Sequence, residues 1–281
     1  MDEIAQNFEA AKLHLQQPIN KVLPPSLLLY LIPPLPSLRL ILTLLSIALV
    51  LLLRIWYILP ARVQSKTSQI LSRKSNHPNH LTVAVFLGSG GHTTELLQLV
   101  SALPIQRYTQ RIYLVSSGDQ FSLEKAKQLE CNLFPSSSST ESLPKVIQIP
   151  RARKVHQTFL TTPLTLATSI AFCIHHIALR PLIQSKGKEK RILADVILMN
   201  GPGTCVPIVA AVWTLRVLGL QSPKLIYVES FARVDSFSLT AKLIRPFVDR
   251  FVLQWPRDPS QVSHQIRSKA SSNTVFSGWL V

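Results

Sequence analysis

From Leu81 to the C-terminus, short runs rich in β-branched residues alternate with runs whose apolar residues recur at helical spacing. Strand, helix and strand repeated in this order predict a parallel sheet with helices on both faces, because each return to the same edge needs a crossover helix. The predicted strands are 82–87, 111–116, 145–149, 194–199, 224–228 and 249–253. The predicted helices are 93–103, 120–130, 157–180, 205–218 and 237–246. The expected fold class is therefore α/β, with a single Rossmann-like, doubly wound parallel sheet.

The length of the chain limits how many domains it can hold. With 281 residues, 47% of them hydrophobic, it can bury one domain core, whereas a second full domain would be cramped. We predict four segments: a polar and proline-rich 1–37, a transmembrane helix 38–59, a basic linker 60–80, and a sheet domain 81–281 that ends in an apolar tail. The formal net charge of +16 indicates an acidic partner, which could be nucleic acid, anionic lipid or a phosphorylated substrate.

An uncharged apolar run between Arg39 and Arg54 favours a membrane anchor. A span needs about 20 residues. Both arginines can snorkel and the following "IWYIL" supplies interfacial aromatic rings, so 38–59 is long enough. The alternatives are a buried core helix and a signal peptide, but a signal peptide would start nearer the N-terminus and precede a small-residue cleavage site. Residues 54–80 are basic without any acidic residue, which predicts that this side of a single-pass chain faces the cytosol.

The stretch 157–180 is long and apolar enough to resemble a second span, but threonines, a proline and two histidines dilute it. Crossing a membrane here would also separate strands that the alternation places in one sheet. We therefore predict a helix that packs on the sheet and at most touches the bilayer surface.

Three further classes of protein are disfavoured by the motifs. Cys131, Cys173 and Cys205 form no C-x-x-C pair, so neither a disulfide scaffold nor a zinc site is indicated, and no metal site is predicted. The basic residues are dispersed and lack a zinc-finger or RNP-type motif, which argues against nucleic acid. The "GSGGHT" turn is an imperfect dinucleotide fingerprint and no P-loop motif occurs, so no cofactor is predicted.

Candidate site residues converge at the carboxyl edge of the predicted sheet, where ligands bind in open α/β folds. The first strand ends in a glycine turn that leads into a helix, and such a turn presents backbone N–H groups and a positive helix end to an anion such as a phosphate. A basic loop follows the third strand and a second glycine turn follows the fourth. The candidate anion-binding residues are Gly88, Ser89, Gly90, Gly91, Arg151, Arg153, Lys154, Asn200, Gly201 and Gly203.

Two residues at this edge are candidates for proton transfer. His92 stands at the start of a helix whose positive end disfavours a charged imidazole, which would leave a neutral ring able to accept a proton. The alternative is a turn histidine that only caps or packs. Glu229 directly follows the fifth strand, where a carboxylate is less often structural, and it is the rival candidate.

Five stretches carry a resemblance to a known family, and they recur in its order: "VFLGSGGHTTELL", "YLVSSGDQFS", "IPRARKVHQ", "ADVILMNGPGTCVPI" and "KLIYVESFARVDSFSLTAKLIRPFVDRFVLQWP". Together they resemble the asparagine-linked glycosylation protein fourteen family. That family is the membrane-anchoring subunit of the endoplasmic-reticulum N-acetylglucosaminyltransferase that makes lipid-linked chitobiose. The resemblance runs from about residue 82 to the C-terminus and leaves the first 37 residues uncovered.

The resemblance implies the acceptor-binding half of a GT-B glycosyltransferase, with a separate soluble subunit that supplies the nucleotide-sugar half. The implied reaction moves N-acetylglucosamine from its uridine diphosphate donor to the 4-hydroxyl of dolichyl-diphosphate N-acetylglucosamine, at the cytosolic face of the endoplasmic reticulum. The chain alone would then bind the acceptor and transfer little, as a non-autonomous subunit. The alternatives are a pure recruitment scaffold and a self-sufficient membrane-bound transferase that acts on another lipid-linked sugar.

The resemblance also implies roles for the candidate residues. The acceptor diphosphate would be the anion received by the glycine turn and the basic loop. His92 would act near the sugar hydroxyl as general base or positioning group, with Glu229 as the rival for that role. The catalytic partner would contact the apolar C-terminus through Phe276, Trp279, Leu280 and Val281.

Overall fold

The structure is a computed structural model that describes residues 6–7, 9, 12, 37–60, 80–134, 144–153, 157–158, 160–184, 192–256 and 273–280. Lys154, Val281, and most of the predicted segments 1–37 and 60–80 lie outside these residues. Contacts divide the chain into two units, Met1–Leu52 and Leu53–Val281.

The apolar run forms helix α1, Leu38–Ile58, within the segment predicted to cross a membrane. The helix has 21 residues, and an 18-residue window within it has a mean hydropathy of 2.4, so it is long and apolar enough to span a bilayer. In the first unit, the side chains from Leu38 to Leu52 are exposed, which suits lipid as their solvent. The last turn of α1 belongs to the second unit, where Ile55 and Ile58 pack against the core.

Among the described residues, seven parallel strands form one sheet in the order β3-β2-β1-β4-β5-β6-β7. Their bounds are β1 Thr82–Leu87, β2 Gln110–Ser116, β3 Lys145–Ile149, β4 Val196–Met199, β5 Lys224–Val228, β6 Arg250–Leu253 and β7 Thr274–Phe276. The predicted α/β fold with a single parallel sheet is confirmed. The strands are rich in β-branched residues because both faces of a parallel sheet are covered.

Helices cover both faces of this sheet. The remaining helices are α2 Gly91–Ser101, α3 Gln120–Leu133, α4 Thr162–Cys173, a π-helical stretch Ile174–Leu179, α5 Arg180–Gln184, α6 Cys205–Val217, α7 Leu239–Ile244 and a 3-10 turn Arg245–Phe247. The alternation of β1 sends Ala84 and Phe86 into a core with α4, α6 and α7, and Val83 and Val85 into a second core with α2 and α3. The sheet is therefore doubly wound, as predicted.

Two strands differ from the prediction by more than one residue. β4 begins at Val196 instead of residue 194, because Asp195 turns to β1 and accepts the Thr82 N–H with its carboxylate at 2.7 Å. β7 was not predicted. It has three residues and pairs with β6 in parallel, where the Phe251 N–H donates to the carbonyl of Asn273 at 2.8 Å.

The continuous helical stretch Thr162–Gln184 covers one edge of the first core. One of its faces is buried through Ser169, Cys173 and Ile177, and Ser169 Oγ donates to the Pro150 carbonyl at 2.7 Å. Leu164 and Ile183 of the same stretch are exposed. By length and composition it is a second candidate membrane span, with a hydropathy of 1.4 against 2.4 for α1.

Candidate functional site

The candidate site lies where the strand order reverses. Strands β1 and β4 are neighbours, but the chain continues from β1 towards β2 and from β4 towards β5, on opposite sides. The loops that follow β1 and β4 therefore diverge from one crevice at the carboxyl edge, which is where open α/β sheets bind ligands. The structure brings the two glycine-rich turns of the sequence together at this crevice.

The two turns interlock through a pair of glycines. A Cβ on the buried Gly88 would collide with the ring of Pro202 and lie 3.1 Å from the Asn200 carbonyl oxygen. Gly201 has a φ of +92°, and a Cβ there would come within 2.5 Å of His92 Cγ. Both glycines are thus needed for the packing of one turn against the other.

Three other glycines of the site face open space. A Cβ on Gly90, Gly91 or Gly203 would meet no atom within 4 Å, and all three residues are exposed. Helix α2 begins at Gly91, and within the described residues no side chain caps its N-terminus. The first backbone N–H groups of α2 are therefore available to an approaching anion.

A series of hydrogen-bonded hydroxyl groups holds the first glycine turn in place. Ser122 Oγ donates to Asp119 Oδ2 at 2.6 Å, which uses the hydroxyl proton of Ser122. Thr93 Oγ1, 2.6 Å from Ser122 Oγ, must then donate to it, and its own oxygen accepts the Ser89 N–H at 3.1 Å. The backbone N–H of Ser89 is thus engaged within the fold, although the residue itself is exposed.

A second network surrounds His92. His92 Nδ1 lies 3.0 Å from Asn200 Oδ1, and Asn200 Nδ2 donates to Glu95 Oε2 at 2.6 Å. Glu95 also accepts the Ser230 hydroxyl at 2.8 Å and the Phe231 N–H at 3.3 Å. Neither Glu95 nor Ser230 was predicted from the sequence. Glu95 stands three residues after His92 on α2, so the helical spacing that places both on one side was a usable signal.

Glu229 lies behind the second glycine turn, with only 2% of its surface exposed. Burial raises the pKa of the Cys205 thiol, and the negative charge of Glu229 raises it further. The Tyr227 phenol responds in the same way: burial raises its pKa first, and then the charges of Cys205 and Glu229. Glu229 is therefore part of a packed polar wall, whereas His92 is half exposed at the crevice.

The basic loop after β3 adjoins the second glycine turn. The backbone N–H of Ala152, between the two arginines, donates to Thr204 Oγ1 at 3.4 Å. Arg153 is exposed and its guanidinium donates to the Gln157 carbonyl at 2.9 Å, while Arg151 is half buried. Lys154, the third basic candidate, lies outside the described residues. The loop therefore contacts the second glycine turn through its backbone, and a role for its basic side chains at the crevice stays a prediction.

The C-terminal tail packs close to the His92 network. Trp279 is 68% exposed, and its ring meets those of Phe231 and Trp255 with centroids 5.7 and 5.4 Å away. Leu280 packs against the second core, whereas Phe276 is exposed on the edge strand β7. Phe231 belongs to this aromatic cluster and also donates its backbone N–H to Glu95, so it connects the tail to the His92 network. Val281 is outside the described residues.

The arrangement suits anion binding and proton transfer by protein groups. Within the described ranges, no three His, Cys, Asp or Glu side chains come together in a way that would hold a metal ion.

Comparisons with known proteins agree on one family. A family model described as "Oligosaccharide biosynthesis protein Alg14 like" matches residues 83–269. The UDP-N-acetylglucosamine transferase subunit alg14 of Schizosaccharomyces pombe is 44% identical over 185 residues, which cover 66% of this chain and 80% of that protein. The UDP-N-acetylglucosamine transferase subunit ALG14 of Cryptococcus neoformans is 38% identical, over 78% of this chain and 91% of that protein. The subunit of the same name from Homo sapiens is 34% identical, over 75% of this chain and 87% of that protein.

Among solved structures, the crystal structure of MurG from Acinetobacter baumannii is similar, with a TM-score of 0.41 and 16% identity over 72% of this chain and 45% of that one. So distant a likeness adds nothing to the assignment, which the sequence matches establish. The chain belongs to the Alg14 family.

Proposed function

We propose that this chain is the membrane-anchored, acceptor-binding subunit of a UDP-N-acetylglucosamine transferase. In this proposal the complex adds the second N-acetylglucosamine to dolichyl-diphosphate N-acetylglucosamine, the precursor of N-linked glycans. The observation that carries the proposal is the pairing, at one sheet edge, of an uncapped glycine turn with a half-exposed histidine. The family membership and the names of the relatives agree with it.

The acceptor diphosphate is the anion for this turn. The exposed Gly90, Gly91 and Gly203 leave room for close approach, and the free N–H groups at the start of α2 supply donors. Arg151 and Arg153 come from the loop that adjoins the second turn and add positive charge beside it. The acceptor sugar then extends from the diphosphate towards His92.

His92 acts as the general base. The proton of the acceptor 4-hydroxyl moves to the imidazole, and the hydroxyl oxygen forms a bond to C1 of the donor sugar. The bond from C1 to the diphosphate oxygen breaks, and uridine diphosphate leaves with the electron pair. A general base of this kind contributes about 10²- to 10⁴-fold to the rate. Glu229 is less suited to the role because it is buried.

The donor half comes from a soluble catalytic subunit. In the described part of the second unit, Leu53–Val281, the strands form a single sheet. The crevice between the β1 and β4 loops offers one wall of the cleft that a GT-B transferase closes between two domains. The exposed Trp279 and Phe276 are the proposed partner contacts. Helix α1 anchors the complex in the endoplasmic-reticulum membrane, and the basic flank after it keeps the sheet domain in the cytosol.

Reconstitution of the purified full chain in vesicles, with and without the soluble subunit, tests this proposal. Transfer from UDP-N-acetylglucosamine to a polyprenyl-diphosphate acceptor and the binding of each substrate are measured, for the wild type and for His92→Ala. We expect the chain alone to bind the acceptor and not the donor, and to transfer only when the soluble subunit is added. The His92→Ala complex should assemble normally and turn over about 10²- to 10⁴-fold more slowly.

Two other outcomes contradict the proposal, and a third contradicts only the role given to His92. Binding of neither substrate would make the chain a recruitment scaffold. Binding of both, with transfer by the chain alone, would make it a self-sufficient enzyme. Full activity of the His92→Ala complex would remove His92 as the base while leaving the acceptor-binding role in place.

A further inference from the structure

The contacts of Asn200 and Glu95 carry one inference that rests on the proposed role of His92 as base. Asn200 was a candidate for binding the diphosphate, but its side chain is engaged inside the site, between His92 Nδ1 at 3.0 Å and Glu95 Oε2 at 2.6 Å. Its amide is thus held by two neighbours with different hydrogen-bonding chemistry. Those neighbours determine which way the amide points.

Glu95 decides the orientation of the amide. A carboxylate only accepts hydrogen bonds, and Glu95 already receives the Ser230 hydroxyl at 2.8 Å and the Phe231 N–H at 3.3 Å. The group that Asn200 turns towards Glu95 must therefore be its NH₂. A reversed amide would place a carbonyl oxygen 2.6 Å from a carboxylate oxygen, with no proton between them.

The orientation of the amide in turn decides which nitrogen of His92 carries the proton. With its NH₂ on Glu95, Asn200 presents its carbonyl oxygen to His92 Nδ1, and only a protonated Nδ1 can donate to it. The neutral ring then keeps its lone pair on Nε2. Among the described residues, Nε2 makes no hydrogen bond, and the ring is half exposed at the crevice.

We propose that Glu95, acting through Asn200, holds His92 in the Nδ1–H tautomer and so leaves Nε2 as the atom that accepts the proton of the acceptor hydroxyl. Glu95 and Asn200 are positioning residues, since neither has to touch the substrate. An uncharged amide as the intermediate fixes the tautomer without placing a full negative charge against the imidazole.

The glycine at position 201 completes the arrangement. The His92 ring lies against Gly201, where a Cβ would come within 2.5 Å of Cγ, so only a glycine here leaves room for the ring beside Asn200. Ser230 supplies one of the donors that hold Glu95, and it stands at the carboxyl end of β5. We call the hydrogen-bonded series from Glu95 through Asn200 to His92 the relay. Its residues and their support follow β1, β4 and β5.

The test is the ring-nitrogen spectrum of His92 in the full-length chain with its soluble subunit, labelled with ¹⁵N in the histidine rings. His92→Gln identifies the signal. We expect the wild type to show a protonated Nδ1 and a lone pair on Nε2. In Asn200→Ala and Glu95→Ala the Nε2–H tautomer should appear, and kcat should fall about 10- to 100-fold, less than for loss of the base itself, with little change in acceptor KM.

The conservative variant Glu95→Gln separates the relay from a merely structural role. Its amide oxygen can still accept from Asn200 and the Phe231 N–H, while its NH₂ turns to the Ser230 oxygen, so the Nδ1–H tautomer and most of kcat should be retained. Glu124→Ala, an exposed carboxylate on α3, is the matched control and should change neither readout.

The inference is overturned if the Asn200→Ala complex is folded and keeps the Nδ1–H tautomer, or if its kcat equals that of the wild type. It is also overturned if Glu95→Gln lowers kcat as much as Glu95→Ala does while the two variants have equal thermal stability. These failures are distinct from failure of the proposed function. If His92→Ala abolishes turnover and Asn200→Ala leaves it unchanged, His92 is still supported as the base and only the role of Asn200 and Glu95 is refuted.

Discussion

The ring of His92 lies directly against the backbone of Gly201, whose φ of +92° and lack of a Cβ create the space. Gly201→Ala would add backbone strain of about 1–2 kcal/mol and push the imidazole away from Asn200. We expect transferase activity to fall strongly, because the proposed base would lose its position.

Gly219→Ala is a matched control for this change. Gly219 also has a positive φ, +74°, but it follows α6 and does not contact His92. Both variants should lose unfolding free energy in thermal melts of the full chain because both strain a left-handed backbone, and Gly201→Ala should lose more because its Cβ also meets the His92 ring. At a temperature where both are folded, only Gly201→Ala should lose activity in the assembled complex. Equal activity in the two variants would contradict a role for the His92 position.

Gly91→Ala is expected to move stability and function in opposite directions. Gly91 opens α2 with ordinary backbone angles and open space around its Cα, so alanine should stabilise the fold by about 0.5 kcal/mol. The added methyl group occupies the room proposed for the acceptor diphosphate. The measurements are the thermal midpoint and the acceptor KM, which should both rise. A higher midpoint with an unchanged KM would exclude this glycine from the anion site.

Thr93→Val tests the hydroxyl chain beneath the first turn. Valine keeps the shape of threonine but removes the acceptor for the Ser89 N–H and the donor to Ser122 Oγ. Leaving these groups without their partner should cost about 1–3 kcal/mol of unfolding free energy and weaken acceptor binding, because the turn loses its support. Denaturant unfolding and acceptor binding check the two effects. Thr93→Ser, which keeps the hydroxyl, should show a much smaller loss of each.

The sequence predicts the six longer strands because each is an apolar, β-branched run bounded by turn residues. It did not predict β7, whose three residues are too few for a periodicity to register and whose pairing depends on β6. Long-range pairing, not local preference, makes Thr274–Phe276 a strand.

The position of the candidate site could be predicted from the sequence, but the hydrogen bonds between its residues could not. Parallel strands bring the Gly88 and Gly201 turns to one edge, which follows from the fold class alone. Strand order makes β1 and β4 neighbours, and only that adjacency brings Asn200 between His92 and Glu95. The burial of Glu229 could not be predicted from the sequence either, because it depends on how side chains pack behind the Gly201 turn.

Alkaline pH should destabilise the domain in part through Cys205. Burial raises the pKa of this thiol above its ordinary value near 9.0. Above pH 9 the unfolded chain loses a proton that folded Cys205 retains, so the unfolding free energy falls as pH rises, by at most about 1.4 kcal/mol per pH unit for this group. Cys205→Ala should lessen the fall of the unfolding midpoint between pH 9 and 10.5. An unchanged pH dependence would contradict burial of the thiol.

Trp279→Ala should release the soluble partner while the chain stays in the membrane. The indole is mostly exposed, yet Phe231 and Trp255 hold it in place, and a rigid aromatic side chain of this kind is a favourable anchor for a partner. Losing it should weaken the affinity for the soluble subunit by about 30-fold or more, which a contact worth about 2 kcal/mol implies. Co-purification and membrane fractionation measure the two properties separately, because α1 lies in another part of the sequence. Leu239→Ala, which removes an exposed apolar side chain from α7, is the control and should leave both unchanged. If Trp279→Ala binds the partner as tightly as Leu239→Ala does, the aromatic cluster serves only the packing of the tail, and the partner contact must lie elsewhere.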